Sequence, residues 1–148
     1  MRYLGFWSVR VRQTATATLV LLLMAAGAGV AQDALDSAVV RARQAWLGHD
    51  TELLVAGSDT MRLNIPGTAA PSLKPGQAAR LLDRYLQSAQ ERSLELVQLR
   101  RLAPDHAYAE LARAYVVKGT SEEQWERVFL GFRQLQGLWR LREVRITP

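Results

Sequence analysis

In the stretch His106-Ala-Tyr-Ala-Glu110 an imidazole, a phenol and a carboxylate recur at every second residue. On an extended strand His106, Tyr108 and Glu110 therefore share one face. That grouping makes Glu110 a candidate general base, since a carboxylate can take a proton when its surroundings raise its affinity for one. Asp59, at the entrance of the alternating run Thr60 to Ile65, is a second candidate base, and His49 stands near a helix end. The plain reading of Glu110 is a solvated charge paired with Arg113 or Arg127. His49 and His106 both fall in turn-like sequence, and two isolated histidines without clustered carboxylates do not make a metal site. No metal, cofactor or catalytic residue is therefore assigned.

Other residue classes narrow the chemistry further. The chain has no cysteine, so disulfides, a lipid-modified cysteine, thiolate metal sites and thiol redox chemistry are excluded. Arg100, Arg113, Arg127, Arg133, Arg140 and Arg142 all lie in the second half and could gather around an anionic ligand or phospholipid head groups. Interleaved as they are with Glu95, Glu123, Glu126 and Glu143, they read more simply as the solvated face of a sheet. Trp46, Leu63, Tyr85, Tyr108, Glu110 and Trp139 are the residues expected to line a pocket, if the interior is open. Trp125, Phe129 and Phe132 could line it as well, and most of these aromatics are expected in the core.

The 148 residues, 49% of them hydrophobic, suit one domain with one core. Residues 1–31 read as a separable signal peptide. Arg2, Arg10 and Arg12 precede an uncharged run whose most apolar part is Leu19 to Met24, and the run ends in small residues. Cleavage after Ala31 fits that order, with Ala28 as a second position. The alternative is a retained anchor, because the 20 residues from Gln13 to Gln32 lack charge. With the leader removed, 16 basic residues face 14 acidic ones, so the basicity of the full sequence mostly belongs to the export signal. No basic stripe or groove-binding motif remains, and no nucleic-acid partner is expected. The expected location is periplasmic or secreted, with residues 32–148 as a single domain and no stable membrane insertion after cleavage.

The elements that must position these residues can be read from hydrophobic spacing. Leu35, Ala38, Val39, Ala42, Ala45 and Trp46 follow helical periodicity up to Gly48. Asp50 can cap a second, short helix that ends at Gly57. Met61, Leu63 and Ile65 alternate with Arg62 and Asn64 as a strand, closed by Pro66-Gly67. The stretch PGTAAPSLKPG reads as a loop. A third helix, with Pro75 at its first position, carries Ala78, Leu81, Leu82, Tyr85, Leu86 and Ala89 through Gln90. Four strands follow: Ser93 to Leu102, Ala107 to Val117, Gln124 to Leu135 and Leu138 to Thr147, with APDH, KGTSEE and QG as turns.

The last strand contains a phase slip. Trp139 and Leu141 alternate with arginines, then Val144 and Ile146 continue one residue out of step. A β-bulge at Arg142 and Glu143 lets all four apolar residues face the core while the strand bends. The expected fold class is α+β, a cone-like curved antiparallel sheet wrapped around helices from the N-terminal half.

This order of elements, ending in Gly137-Leu-Trp-Arg-Leu-Arg-Glu-Val-Arg-Ile146, resembles the nuclear transport factor 2-like superfamily, which includes SnoaL-like and ketosteroid isomerase-like proteins. Within it the residues most resemble the exported bacterial domain-of-unknown-function family 4783. Gly48 to Leu53 match its G-x-x-x-E-L segment, and Asn64 to Gly67 its N-I-P-G-like turn. Lys74 departs from the serine-like cap expected before the third helix. In the isomerase and cyclase branches, the resemblance implies an acid just before the proline that ends the first strand. Here Ile65 holds that position, and an alkyl group accepts no proton. The expected function is a non-catalytic domain that binds an apolar small molecule or serves as an interaction or scaffold module. The alternative is an isomerase or cyclase/dehydratase-like enzyme using Glu110 or Asp59. The resemblance, and large apolar residues of both parities between Trp125 and Phe132, also imply a homodimer through the open sheet face.

Overall fold

A computed structural model describes residues 15–148. The leader expected over residues 1–31 lies partly outside the described residues; from Ala15 to Leu47 the backbone is one α-helix, α1. Among the described residues no helix is long and apolar enough to cross a membrane. Two compact units divide at Asp33 and Ala34, and the following description concerns residues 34–148.

In this unit α1 buries Leu35, Ala38, Val39, Ala42, Ala45 and Trp46, the stripe that helical spacing predicts. The helix ends at Leu47 in a turn where the Asp50 N–H donates to the Ala45 carbonyl. The left-handed residue of that turn is His49, at φ 54°, and not Gly48. Asp50 then caps α2 (Thr51–Val55), its Oδ1 accepting from the Leu53 N–H at 2.9 Å. Strand β1 (Met61–Ile65) buries Met61, Leu63 and Ile65 and exposes the residues between.

Two segments differ from the sequence reading. Thr68–Leu73, expected as loop, forms an antiparallel edge strand, β2, on β1. Pro71 is tolerated there because the register shifts at that point and the strand has one neighbour only. Helix α3 (Pro75–Leu86) starts at the predicted proline, and the Lys74 N–H donates to Gln77 Oε1 at 3.0 Å in place of a serine cap. It stops four residues earlier than expected, because Ala89 and Gln90 are already paired with Val117 and Val116.

The remaining strands are β3 (Ala89–Ala103), β4 (His106–Val117), β5 (Glu123–Leu135) and β6 (Leu138–Thr147). The six strands form one open sheet in the order β2-β1-β6-β5-β4-β3, antiparallel except where β1 meets β6. The bulge is where the phase slip put it. Gly131 pairs with Glu143 and Phe132 with Leu141, leaving Arg142 without an opposite residue. Trp139, Leu141, Val144 and Ile146 are consequently all buried. Three further register shifts bend β3 against β4, and Val97 and Leu102, the residues skipped at two of them, are exposed. The inner face of this curved sheet and the buried stripes of α1, α2 and α3 form one core.

Candidate functional site

Strand alternation decides which side chains can meet. On β4 the inward parity is Ala107, Ala109, Leu111 and Arg113; on β5 it is Glu126, Val128, Leu130 and Phe132. An arginine thus stands directly opposite a glutamate on the helix-facing side of the sheet.

Arg113 is fully buried and forms the centre of a cluster. Its Nε donates to Glu91 Oε2 at 2.9 Å and its Nη2 to Glu91 Oε1, a two-pronged pair from β3. Its Nη1 donates to Glu126 Oε2 and to the Tyr85 hydroxyl, each at 2.9 Å. Tyr85 on α3 donates to Glu126 Oε2 at 2.6 Å, and Tyr115 donates to Glu126 Oε1 at 3.0 Å. The guanidinium also lies 4.0 Å from the Tyr115 ring centroid, 5.3 Å from that of Tyr85 and 5.4 Å from that of Trp46. His49 Nε2, placed by the left-handed turn after α1, reaches Glu91 Oε1 at 3.3 Å.

The electrostatics follow from this enclosure. Burial pushes the Tyr85 phenol far above its ordinary range, reinforced by its bond to Glu126, so it stays protonated. Tyr115 is raised for the same two reasons. Burial alone would lower the affinity of Arg113 for its proton, but the bonds and charge of Glu91 outweigh it and hold the guanidinium charged. Glu91 and Glu126 are both committed to donors, and the cluster is a hydrogen-bonded lock between α1, α3 and the sheet.

Open space occurs elsewhere. A cleft of about 220 Å³ lies between α1, α2 and the β5–β6 hairpin. Ala38, Ala42, Leu53, Leu54, Phe132 and Leu141 give it apolar walls, and Arg41, Trp139 and Arg140 supply its polar groups. Gly57, at φ 75°, leaves room for Arg140: a Cβ there would stand 2.6 Å from the guanidinium carbon. A larger depression of about 370 Å³ on the outer side includes Arg62, His106, Tyr108, Arg133, Arg142 and Glu143 in its lining.

Of the six residues proposed from sequence as pocket-lining, Trp46, Leu63 and Trp139 share one core with Tyr85 packed against it, and Tyr108 and Glu110 do not join them. Trp46 and Tyr85 belong to the Arg113 cluster, Leu63 is core, and Trp139 lines the smaller cleft. Tyr108 and Glu110 lie on the opposite face: Tyr108 packs on Phe129, with ring centroids 6.5 Å apart, and Glu110 accepts from Arg127 Nη1 at 2.8 Å. His106 Nδ1 lies 3.0 Å from Asp105 Oδ1. Asp59 holds Arg142 at 2.6 Å, and the Thr60 N–H first, then Arg142, keeps its carboxyl below the usual range. Among the described residues no group of acids and histidines could hold a metal ion.

By residue type alone Arg113 belongs to a solvated row of arginines. The signal that could have found it was parity: Arg113 shares its side of β4 with Ala107, Ala109 and Leu111, while Glu110 does not.

No family model and no curated protein matches the chain. Solved structures do. A ketosteroid isomerase-like protein from Erwinia carotovora atroseptica superposes with a TM-score of 0.65 at 16% identity, covering 78% of this chain and 96% of that one. Two proteins of the domain-of-unknown-function family 4783 are also similar. The one from Bacteroides ovatus gives a TM-score of 0.60 at 11% identity over 72% of this chain and 90% of its own. The one from Bacteroides uniformis gives 0.61 at 13% identity over 72% and 92%. With its helices laid on the inner face of an open, bulged six-stranded sheet, the chain has the nuclear transport factor 2-like fold.

Proposed function

We propose that the chain is an exported, non-catalytic domain that binds a small molecule in the cleft between α1, α2 and the β5–β6 hairpin. The observation that carries this reading is the Arg113 cluster. A buried arginine paired with two glutamates lies on the helix-facing side of the sheet, and it commits the acids that could act as bases there. The acids of the enzyme alternative are committed as well, Asp59 to Arg142 and Glu110 to Arg127. The smaller cleft keeps an apolar lining that suits a compact ligand.

Export is supported by the leader-like residues 1–31, and pairing into a homodimer through the outer sheet face by the exposed Trp125 and, further along the same face, the Tyr108–Phe129 pair. The test is a titration of the purified protein with hexanol, followed by methyl resonances. Saturable shifts of Leu53, Leu54 and Leu141, with Leu94 unmoved, support the reading. Turnover of isomerisation or dehydration substrates that Glu110→Gln or Asp59→Asn abolishes would establish the enzyme alternative instead.

A further inference from the structure

The cleft that carries the proposed binding function contains charge as well as apolar wall. Arg41 and Arg140 both line it, and among the described residues neither has an ion-pair partner, whereas Arg43, Arg113, Arg127, Arg133 and Arg142 each do. Among the described residues no carboxylate stands in the lining. The Arg140 guanidinium is seated against Gly57, where only glycine leaves the space. A third cation, Arg101, lies over the Trp139 ring at 5.4 Å. Trp139 is itself 4% exposed, and among the described residues its indole N–H has no hydrogen-bond partner. Buried donors without acceptors are uncommon, and their cost is relieved when an acceptor arrives.

We infer that this cleft takes a short-chain monocarboxylate, its carboxylate held by Arg41 and Arg140 and its chain laid on Leu53, Leu54 and Leu141. The inference rests on the binding reading above and adds the acid group to it. Size supports a small ligand. A volume of about 220 Å³ corresponds to roughly seven water-sized units. Charge decides the head group. Arg41 and Arg140 both belong to the lining, so an anion seated there meets two cationic side chains, and a planar carboxylate is the group that forked guanidinium donors fit. An inorganic anion would satisfy the charges and leave the apolar wall uncovered. An alcohol would cover the wall and leave the charges unanswered.

The experiment compares hexanoate, hexanol and inorganic phosphate on the purified protein by amide and indole N–H spectra, with the Trp139 indole identified through Trp139→Phe. Hexanoate is expected to bind with a Kd on the order of 1 mM and to shift the Trp139 indole resonance. Hexanol and phosphate are each expected to bind about tenfold more weakly. Arg41→Gln and Arg140→Gln should each weaken hexanoate about tenfold and leave hexanol unchanged, while Arg62→Gln, outside the cleft, should change neither. Equal binding of hexanol and hexanoate at the cleft overturns the carboxylate inference and leaves the binding reading standing. Silence of the cleft resonances to both ligands overturns the two together. Phosphate binding as tightly as hexanoate also overturns it, since the apolar wall would then contribute nothing.

Discussion

Arg113 is the residue on which the interior turns. A charge taken out of water is tolerated only when paired, and here one guanidinium donates to two carboxylates and to the Tyr85 phenol, while Tyr115 donates to Glu126. Removing it leaves Glu91 and Glu126 without their cation. Arg113→Ala should therefore cost about 3–5 kcal/mol, read as a lower urea midpoint. A loss below about 1 kcal/mol would mean that water reaches the glutamates freely. Tyr85 gives a second prediction at this scale, with its sign fixed by linkage. The folded state keeps the phenol protonated above pH 10.0, where the unfolded chain releases the proton. The unfolded state thus binds fewer protons in that window, and stability falls with rising pH by at most about 1.4 kcal/mol per unit. Unfolding free energies measured above pH 10.0 should fall less steeply in Tyr85→Phe than in the parent chain; equal slopes would contradict the buried phenol.

Among the elements, β6 and its bulge show what the sequence makes legible. Trp139, Leu141, Val144 and Ile146 are strongly apolar, so a change of phase among them has a single structural solution, an extra residue at Arg142. Edge strand β2 has no such signal. Thr-Ala-Ala-Pro-Ser-Leu lacks an alternating apolar face, contains a proline, and exists as a strand because β1 offers it a free edge. The end of α3 was hidden for a similar reason: Ala89 fits the helical stripe, and only pairing with Val117 takes it into β3. The site was less legible than the fold. Glu110 and Tyr108 attracted attention by residue type, while Arg113 was recognisable only by the face it occupies, and the cleft depends on a glycine's geometry. The bulge also makes a prediction. Gly131 lies opposite Glu143, and an added Cβ would stand 3.0 Å from the glutamate's own. Gly131→Ala should cost about 1–3 kcal/mol in thermal or urea unfolding through overpacking at the bend. An unchanged midpoint would show that the bulge can shift to absorb it.

At the scale of the whole molecule, the sheet separates two jobs. Its inner face carries the core, the Arg113 lock and one wall of the cleft. Its outer face holds Tyr108 against Phe129, Arg145 over Phe129 at 4.5 Å, and Trp125 at 62% exposure. A large aromatic left in water on a sheet face is the feature on which the proposed homodimer rests. Trp125→Glu should convert a dimer to a monomer in sedimentation with its melting curve otherwise retained, and a parent chain that sediments as a monomer at tens of micromolar would remove the dimer. The central claim is that ligand binding belongs to the α1–α2–β6 cleft, while the Arg113 cluster is structural. A crystal structure of the protein grown with hexanoate tests both parts at once. The account predicts the ligand against Leu54, Leu141 and Arg140, with Arg113 still bonded to Glu91 and Glu126. Ligand lodged instead between Trp46, Tyr85 and Arg113, with Glu126 released, would contradict it and make the buried cluster the functional site.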